Sequence, residues 1–199
     1  MLKSFHILLV LLMTMATATV AYADDDLQAI YDQMKPSIGM TADFKQIKTI
    51  TVLSRPLVSQ GAIHVVDGET ISWHQDLPYI MMMKFTSQGI IECLDDCKGE
   101  APTVSNNPFV TALSQAFIGL LAGSPEKLET YFDLSVSEHS QANWKLLLAP
   151  NDAILSGFIK HISITGDEHL QSLIILEMSG DKTLLTFSNH QHVTGVEPK

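Results

Sequence analysis

One strongly apolar helix stands between two runs of short, strand-like segments, and this arrangement limits the fold more than any other feature of the chain. Phe109, Ala112, Leu113, Ala116, Phe117, Leu120 and Leu121 recur at helical spacing. The segment opens at Asn107-Pro108, with proline suited to the first helical position, and closes at Gly123. Ser124-Pro125-Glu126 then starts a second, shorter helix that runs to about Tyr131. Before this pair, Ala42 to Leu53, Leu57 to Val66, Thr70 to Gln75, Tyr79 to Phe85 and Ile90 to Cys93 read as strands. They are separated by a bend at Pro56, a hairpin signal at Asp67-Gly68, and turns at Asp76 to Pro78 and Ser87-Gln88-Gly89. After it, Phe132 to Ser137, Asn143 to Ala149, Gly157 to Thr165, Leu170 to Met178 and Lys182 to His190 read as five more, with turns at Gly166-Asp167 and Gly180-Asp181. No crossover helix separates consecutive strands, so the sheet is antiparallel and the class is α+β, mainly β. A curved sheet needs its concave face covered, and the apolar helix is the element able to cover it. Two arrangements satisfy that pattern: a helix packed permanently into a solid core, or sheet and helices enclosing an apolar ligand cavity.

The ends of the chain bear on compartment. Lys3, the apolar run from Phe5 to Met15 broken only by His6 and Thr14, and Ala21-Tyr22-Ala23 form the three parts of a signal peptide cleaved after Ala23. The run ends in Asp24-Asp25-Asp26 and is too short to span a bilayer. Residues 1–23 are therefore expected to be removed, leaving 24–199 as a single exported domain. A short helix follows, with Leu27, Ile30, Tyr31 and Met34 on one face and its end set by Pro36 and Gly39. With 22 acidic against 12 basic residues and a formal charge of -10, the chain is not expected to bind nucleic acid, because such proteins need Lys and Arg to displace counterions from phosphates. Export also governs Cys93 and Cys97, the chain's two cysteines. In an oxidising compartment they read as a local disulfide across a three-residue turn.

A resemblance narrows the choice between solid core and cavity. Phe44-Lys45-Gln46, the run Leu53-Ser54-Arg55-Pro56-Leu57-Val58-Ser59-Gln60-Gly61, and Ile71-Ser72-Trp73 followed by Pro78 resemble the LolA-like periplasmic carriers of outer-membrane lipoproteins, in particular their short, divergent members. Gly157 to Phe187, with its repeated strand and Gly-Asp turn, extends the likeness over most of the mature chain. The resemblance implies an open, incomplete β-barrel with lid helices. It also implies a non-enzymatic periplasmic carrier of a lipid, lipoprotein or other acylated cargo, with no cofactor, an inner-membrane exporter to load it and an outer-membrane acceptor to unload it. A monomer is expected. In the family a basic residue followed by Pro, in the turn before the Trp, helps latch the lid; here that turn is Asp67-Gly68.

Strand parity then assigns a cavity face. Phe44, Ile50 and Val52 share one side, as do Ile63 and Val65, Ile71 and Trp73, and Met81, Met83 and Phe85. Phe109, Leu113 and Phe117 face them from the helix. Met81-Met82-Met83 cannot form one metal site, because neighbouring strand residues point to opposite faces. His190-Gln191-His192 sets two imidazoles on one face of a strand, without a third ligand at a suitable spacing. His64, His74, His161 and His169 are scattered singly, and neither a nucleophile elbow nor HExxH accompanies them. Neither a metal nor a catalytic group is therefore expected. The alternatives to a carrier are a lipid-sensing, protein-binding module on the same scaffold and a secreted ester hydrolase.

Overall fold

The computed structural model describes residues 22–34, 37–94 and 101–193. Of the expected leader, residues 1–23, the first 21 lie outside the described residues, as do Pro36 and Cys97, whereas Tyr22 and Ala23 fall in the first helix. The chain begins with α1 (Tyr22–Gln33), then β1 (Met40–Thr49), β2 (Leu57–Val65), β3 (Thr70–Leu77), β4 (Met81–Thr86), β5 (Gly89–Leu94) and β6 (Thr103–Ser105). Two helices follow, α2 (Pro108–Ala122) and α3 (Pro125–Glu129). The remainder is β7 (Phe132–His139), β8 (Trp144–Pro150), α4 (Ala153–Ser156), β9 (Ile159–Gly166), β10 (Leu170–Glu177) and β11 (Lys182–His192).

All strands belong to one antiparallel sheet of order β6-β5-β4-β3-β2-β1-β11-β10-β9-β8-β7. The chain starts in the middle of the sheet, meanders out to β6, and re-enters at the opposite edge with β7 before returning to β11 beside β1. Because α2 and α3 join the two edges, they must cross a face of the sheet. The apolar character of α2 selects the concave face, where Ala116, Ile118, Leu120 and Leu121 are buried against the sheet. The sheet is open: β6 and β7 end it without pairing to each other.

Local signals set the helix ends. Asn107 caps α2 by accepting from Val110 N at 3.0 Å. At the other end Gly123 adopts φ 70 and Ser124 N donates to Gly119 O at 2.8 Å, the Schellman arrangement that only glycine enters without strain.

Two expectations need correction. The strand starting near Ala42 stops at Thr49 rather than Leu53, because Thr51 N and Oγ1 both donate to Asp181 Oδ1 in the β10–β11 turn, and Pro56 has no N–H for a ladder. The described residues also form eleven strands and four helices rather than ten strands and three helices. The extra strand, β6, is three residues long, and α4 is a single turn capped by Asp152; neither is long enough to show periodicity.

Gly61, the last residue of the Pro-Leu-x-S-x-G run, has a steric explanation. A bulge at Gln60/Gly61 brings β3 so close that a Cβ on residue 61 would lie 1.9 Å from the His74 carbonyl oxygen. Backbone cannot move aside as a side chain can. Gly61→Ala is expected to lower the free energy of unfolding by about 1–3 kcal/mol, read as a lower urea midpoint; an unchanged midpoint would mean that β2 and β3 separate freely here.

Candidate binding cavity

The inner face of the sheet and the underside of α2 and α3 do not meet completely, and they leave an apolar cavity of about 170 Å³. Its floor comes from both halves of the sheet: Trp73, Met83 and Phe85 on one side, and Phe132, Leu148, Ile162, Leu173, Ile175 and Leu185 on the other. Leu113, Ala116, Phe117 and Leu120 of α2, with Leu128 of α3, form the roof. Register explains why these side chains converge. Ile162 faces Ile175 and Leu148, and Trp73 faces Met83, so inward residues of neighbouring strands form continuous rows. An aromatic cluster stiffens one wall. Trp73 lies 3.7 Å from Phe44 between ring centroids, Phe117 packs at 6.1 Å from Trp73, and Phe85 at 4.9 Å from Phe117.

The lining carries no ionisable group. Its polar members are Gln46 and Thr183, from the adjacent central strands β1 and β11, together with the indole of Trp73. Trp73 Nε1 is buried and has no hydrogen-bond acceptor among the described residues. A buried donor left unmade costs about 1–3 kcal/mol. A charged ligand would find nothing here to replace its hydration.

Polar contacts hold the roof at one end of the sheet. Lys127 Nζ of α3 donates to Gly68 O and to Glu69 Oε1, both at 2.8 Å, in the β2–β3 turn. Ser114 Oγ donates to Thr86 O at 2.9 Å and Gln115 Nε2 to Ser87 O at 2.9 Å, both at the β4–β5 turn. Tyr131 OH donates to Gln115 Oε1 at 2.7 Å, and burial followed by the nearby Asp152 raises its pKa, keeping that donor protonated. The turn preceding Trp73 thus accepts from a lysine on the lid instead of presenting a basic residue to it. At the start of α2 the contact is apolar: Phe109 packs on Phe158 at 4.6 Å.

The sequence-predicted residues distribute as follows. Trp73, Met83, Phe85, Leu113 and Phe117 come together on the cavity wall. Phe44, Ile63, Val65 and Ile71 are buried in the core beside it. Phe109 is half-buried against Phe158, Met81 and Ile50 are half-buried, and none of these three lines the cavity. Val52 is corrected: past the end of β1 it sits in a turn, 89% exposed, and faces no cavity. Missed by the sequence reading were the inward residues of β7 to β11. The same alternation, in Leu173 and Ile175 or Thr183 and Leu185, is the signal that would have found them.

Among the described residues no three His, Cys, Asp or Glu side chains gather as metal ligands. His190 Nε2 lies 3.1 Å from Leu170 O and its ring stacks on His169 at 4.9 Å. No helix of the described residues is long and apolar enough to cross a membrane.

Residues 17–193 match the family model described as outer membrane lipoprotein carrier protein LolA-like. Among solved structures, a LolA-superfamily protein of Nitrosomonas europaea is similar over 89% of this chain and 96% of its own, with 8% identity and a TM-score of 0.52. A DUF1329-family protein of Desulfovibrio piger matches over 86% of this chain and 92% of its own, at 9% identity and a TM-score of 0.45. A chain of the Pseudomonas aeruginosa MucA/MucB complex matches over 84% and 56%, at 12% identity and 0.44. No curated protein matches the chain by sequence.

Proposed function

The chain belongs to the LolA-like family of outer membrane lipoprotein carrier proteins, and on that premise we propose that it is a periplasmic, non-enzymatic carrier that holds an acyl chain of a lipid or lipoprotein beneath α2 and α3. The observation that carries this reading is the uncharged cavity between a curved sheet and a lid tied down at one end. Each methylene moved from water into such a site is worth about 0.8 kcal/mol. A few of them hold a cargo without any covalent step.

At about 170 Å³ the cavity is below the roughly 300–1,000 Å³ usual for ligand sites. This is the closed state, and an acyl chain must displace the roof. The polar anchors at the β2–β3 and β4–β5 turns form the hinge, whereas the apolar Phe109–Phe158 contact, which a lipid tail can replace, forms the mouth. Lys127 and Glu69 are too exposed for their pair to contribute more than about 1 kcal/mol, so the closing force is weak enough for cargo to overcome. An ester or amide carbonyl at the neck of the chain would meet Gln46 and Thr183. Release requires an acceptor that binds the cargo better than the open carrier does.

Native mass spectrometry of the protein purified from periplasm without detergent tests this directly. A discrete added mass that extracts into solvent as an acylated molecule is expected. A bare protein mass that persists after incubation with lipid vesicles would sink the carrier reading, and turnover of a chromogenic acyl ester would replace it with a hydrolase. The same spectra test export and pairing of the cysteines. The chain is expected to begin at Asp24 and, after iodoacetamide without reductant, to carry no added carbamidomethyl group. That expectation fits Cys93 having no free thiol.

A further inference from the structure

The large hydrophobic side chains that remain exposed are concentrated at one end of the sheet. The β1–β2 connection leaves the sheet after the pair Lys48–Leu57, and the β3–β4 connection after Gln75–Met81. Antiparallel pairing puts both at the same end, together with the β10–β11 turn, which Thr51 ties to the β1–β2 loop through Asp181. Val52, Leu53, Leu57, Tyr79, Ile80 and Phe158 project there, Val52 with 89% of its surface free. Among the described residues, Ile38, Val104, Leu147 and Val193 are the exposed large hydrophobics lying elsewhere. Single exposed hydrophobics need no explanation, but a contiguous set does.

We propose that this end of the sheet is a membrane-docking surface, with the β1–β2 and β3–β4 loops inserting into the headgroup boundary of a phospholipid bilayer. Charge distinguishes these loops from the rest of the chain. Residues 50–58 and 77–80 contain no carboxylate and one basic residue, Arg55, in a chain of formal charge -10. Two carboxylates beside them are engaged: Asp181 accepts from Thr51, which lowers its pKa, and Asp76 lies 3.5 Å from His74. An apolar tip with aromatic residues and a cation suits an interfacial environment rich in lipid phosphates. The tip consists of turns projecting outward, not of an unpaired strand edge; the edges, β6 and β7, lie at the sides. The surface also adjoins the cavity lining. Thr183 is the second residue of β11 and Phe132 the first of β7, both lining residues at this end, and Phe158 of the tip packs on Phe109 at the start of α2. An opened lid would therefore face the bilayer and let an acyl chain pass without crossing water. That use rests on the carrier reading, whereas docking itself does not.

Flotation of the mature protein with vesicles of phosphatidylethanolamine and phosphatidylglycerol tests docking without cargo. The wild type is expected to float, and Val52→Asp/Leu53→Asp to lower the bound fraction about tenfold, with thermal melting and binding of a soluble fluorescent fatty acid unchanged. In Val52→Trp, adding vesicles is expected to shift the indole emission to the blue. A wild type that stays with the unbound fraction, or a double variant that floats equally well, would overturn the proposal. So would binding confined to native membrane vesicles and abolished by trypsin, which would assign the surface to a protein partner. Flotation without fatty-acid binding would overturn the carrier reading and leave docking standing.

Discussion

Trp73→Ala is expected to lower the free energy of unfolding by about 3–5 kcal/mol, measured by urea titration. Trp73 is 4% exposed, and its ring joins Phe44 of β1, Phe85 of β4 and Phe117 of α2 into one cluster. Removing it opens a void that the sheet cannot close, because the ladders on both sides fix the spacing of β2, β3 and β4. The lost aromatic contacts add about 0.5–1.5 kcal/mol each to the area term. Trp73→Phe separates packing from polarity. It retains most of the ring contacts and discards the buried, unpartnered N–H, so it should be far less destabilising. A loss below about 1 kcal/mol in the alanine variant would show that α2 simply settles into the gap.

Ala116→Phe is expected to weaken binding of a fluorescent fatty acid by tenfold or more while leaving the protein folded. Ala116 points from α2 into the cavity, and an apolar space near 150 Å³ accommodates about one benzene ring. A phenyl group grafted there takes the space that the cargo needs. Because it fills an existing void, the stability change should stay within about 1 kcal/mol. Full binding in a folded Ala116→Phe protein would move the site elsewhere. A void-filling variant that binds poorly, set beside Trp73→Ala, also separates loss of the site from loss of the fold.

Much of the architecture was legible before any coordinates. The alternation in Leu57 to Val66 and Thr70 to Gln75, the Gly-Asp turns at 166 and 180, and the capped apolar run after Asn107 each carry a local cause. In the structure they appear as β2, β3, the β9–β10 and β10–β11 turns, and α2. Where the reading failed, the cause was not local. Ala42 to Leu53 keeps a strand-like pattern, yet β1 ends at Thr49 because Asp181, 130 positions away, captures Thr51. Val52 therefore moved from an expected cavity wall to the exposed tip, and its apolar character acquires a different use there.

The site divides in the same way. Parity placed Trp73, Met83 and Phe85 on one face, and helical spacing placed Leu113 and Phe117 on another, because side-chain direction follows from backbone period alone. Composition likewise argues against a nucleic-acid partner, because charge is a property of the chain and not of its arrangement. Which of those apolar residues line a space and which are solid core could not be read in advance. Phe44, Ile63 and Trp73 have the same pattern, and only the path of α2 and α3 across the sheet leaves room over one of them. The anchors were equally hidden. Lys127 reaches Glu69 across 58 positions, and Gln115 reaches Ser87 across 28. Periodicity extends over a turn or a strand, so the sequence alone determined the elements and their faces. The lid, the cavity under it and the apolar end beside its mouth depend on contacts between segments far apart in the chain, and these only the tertiary structure decided.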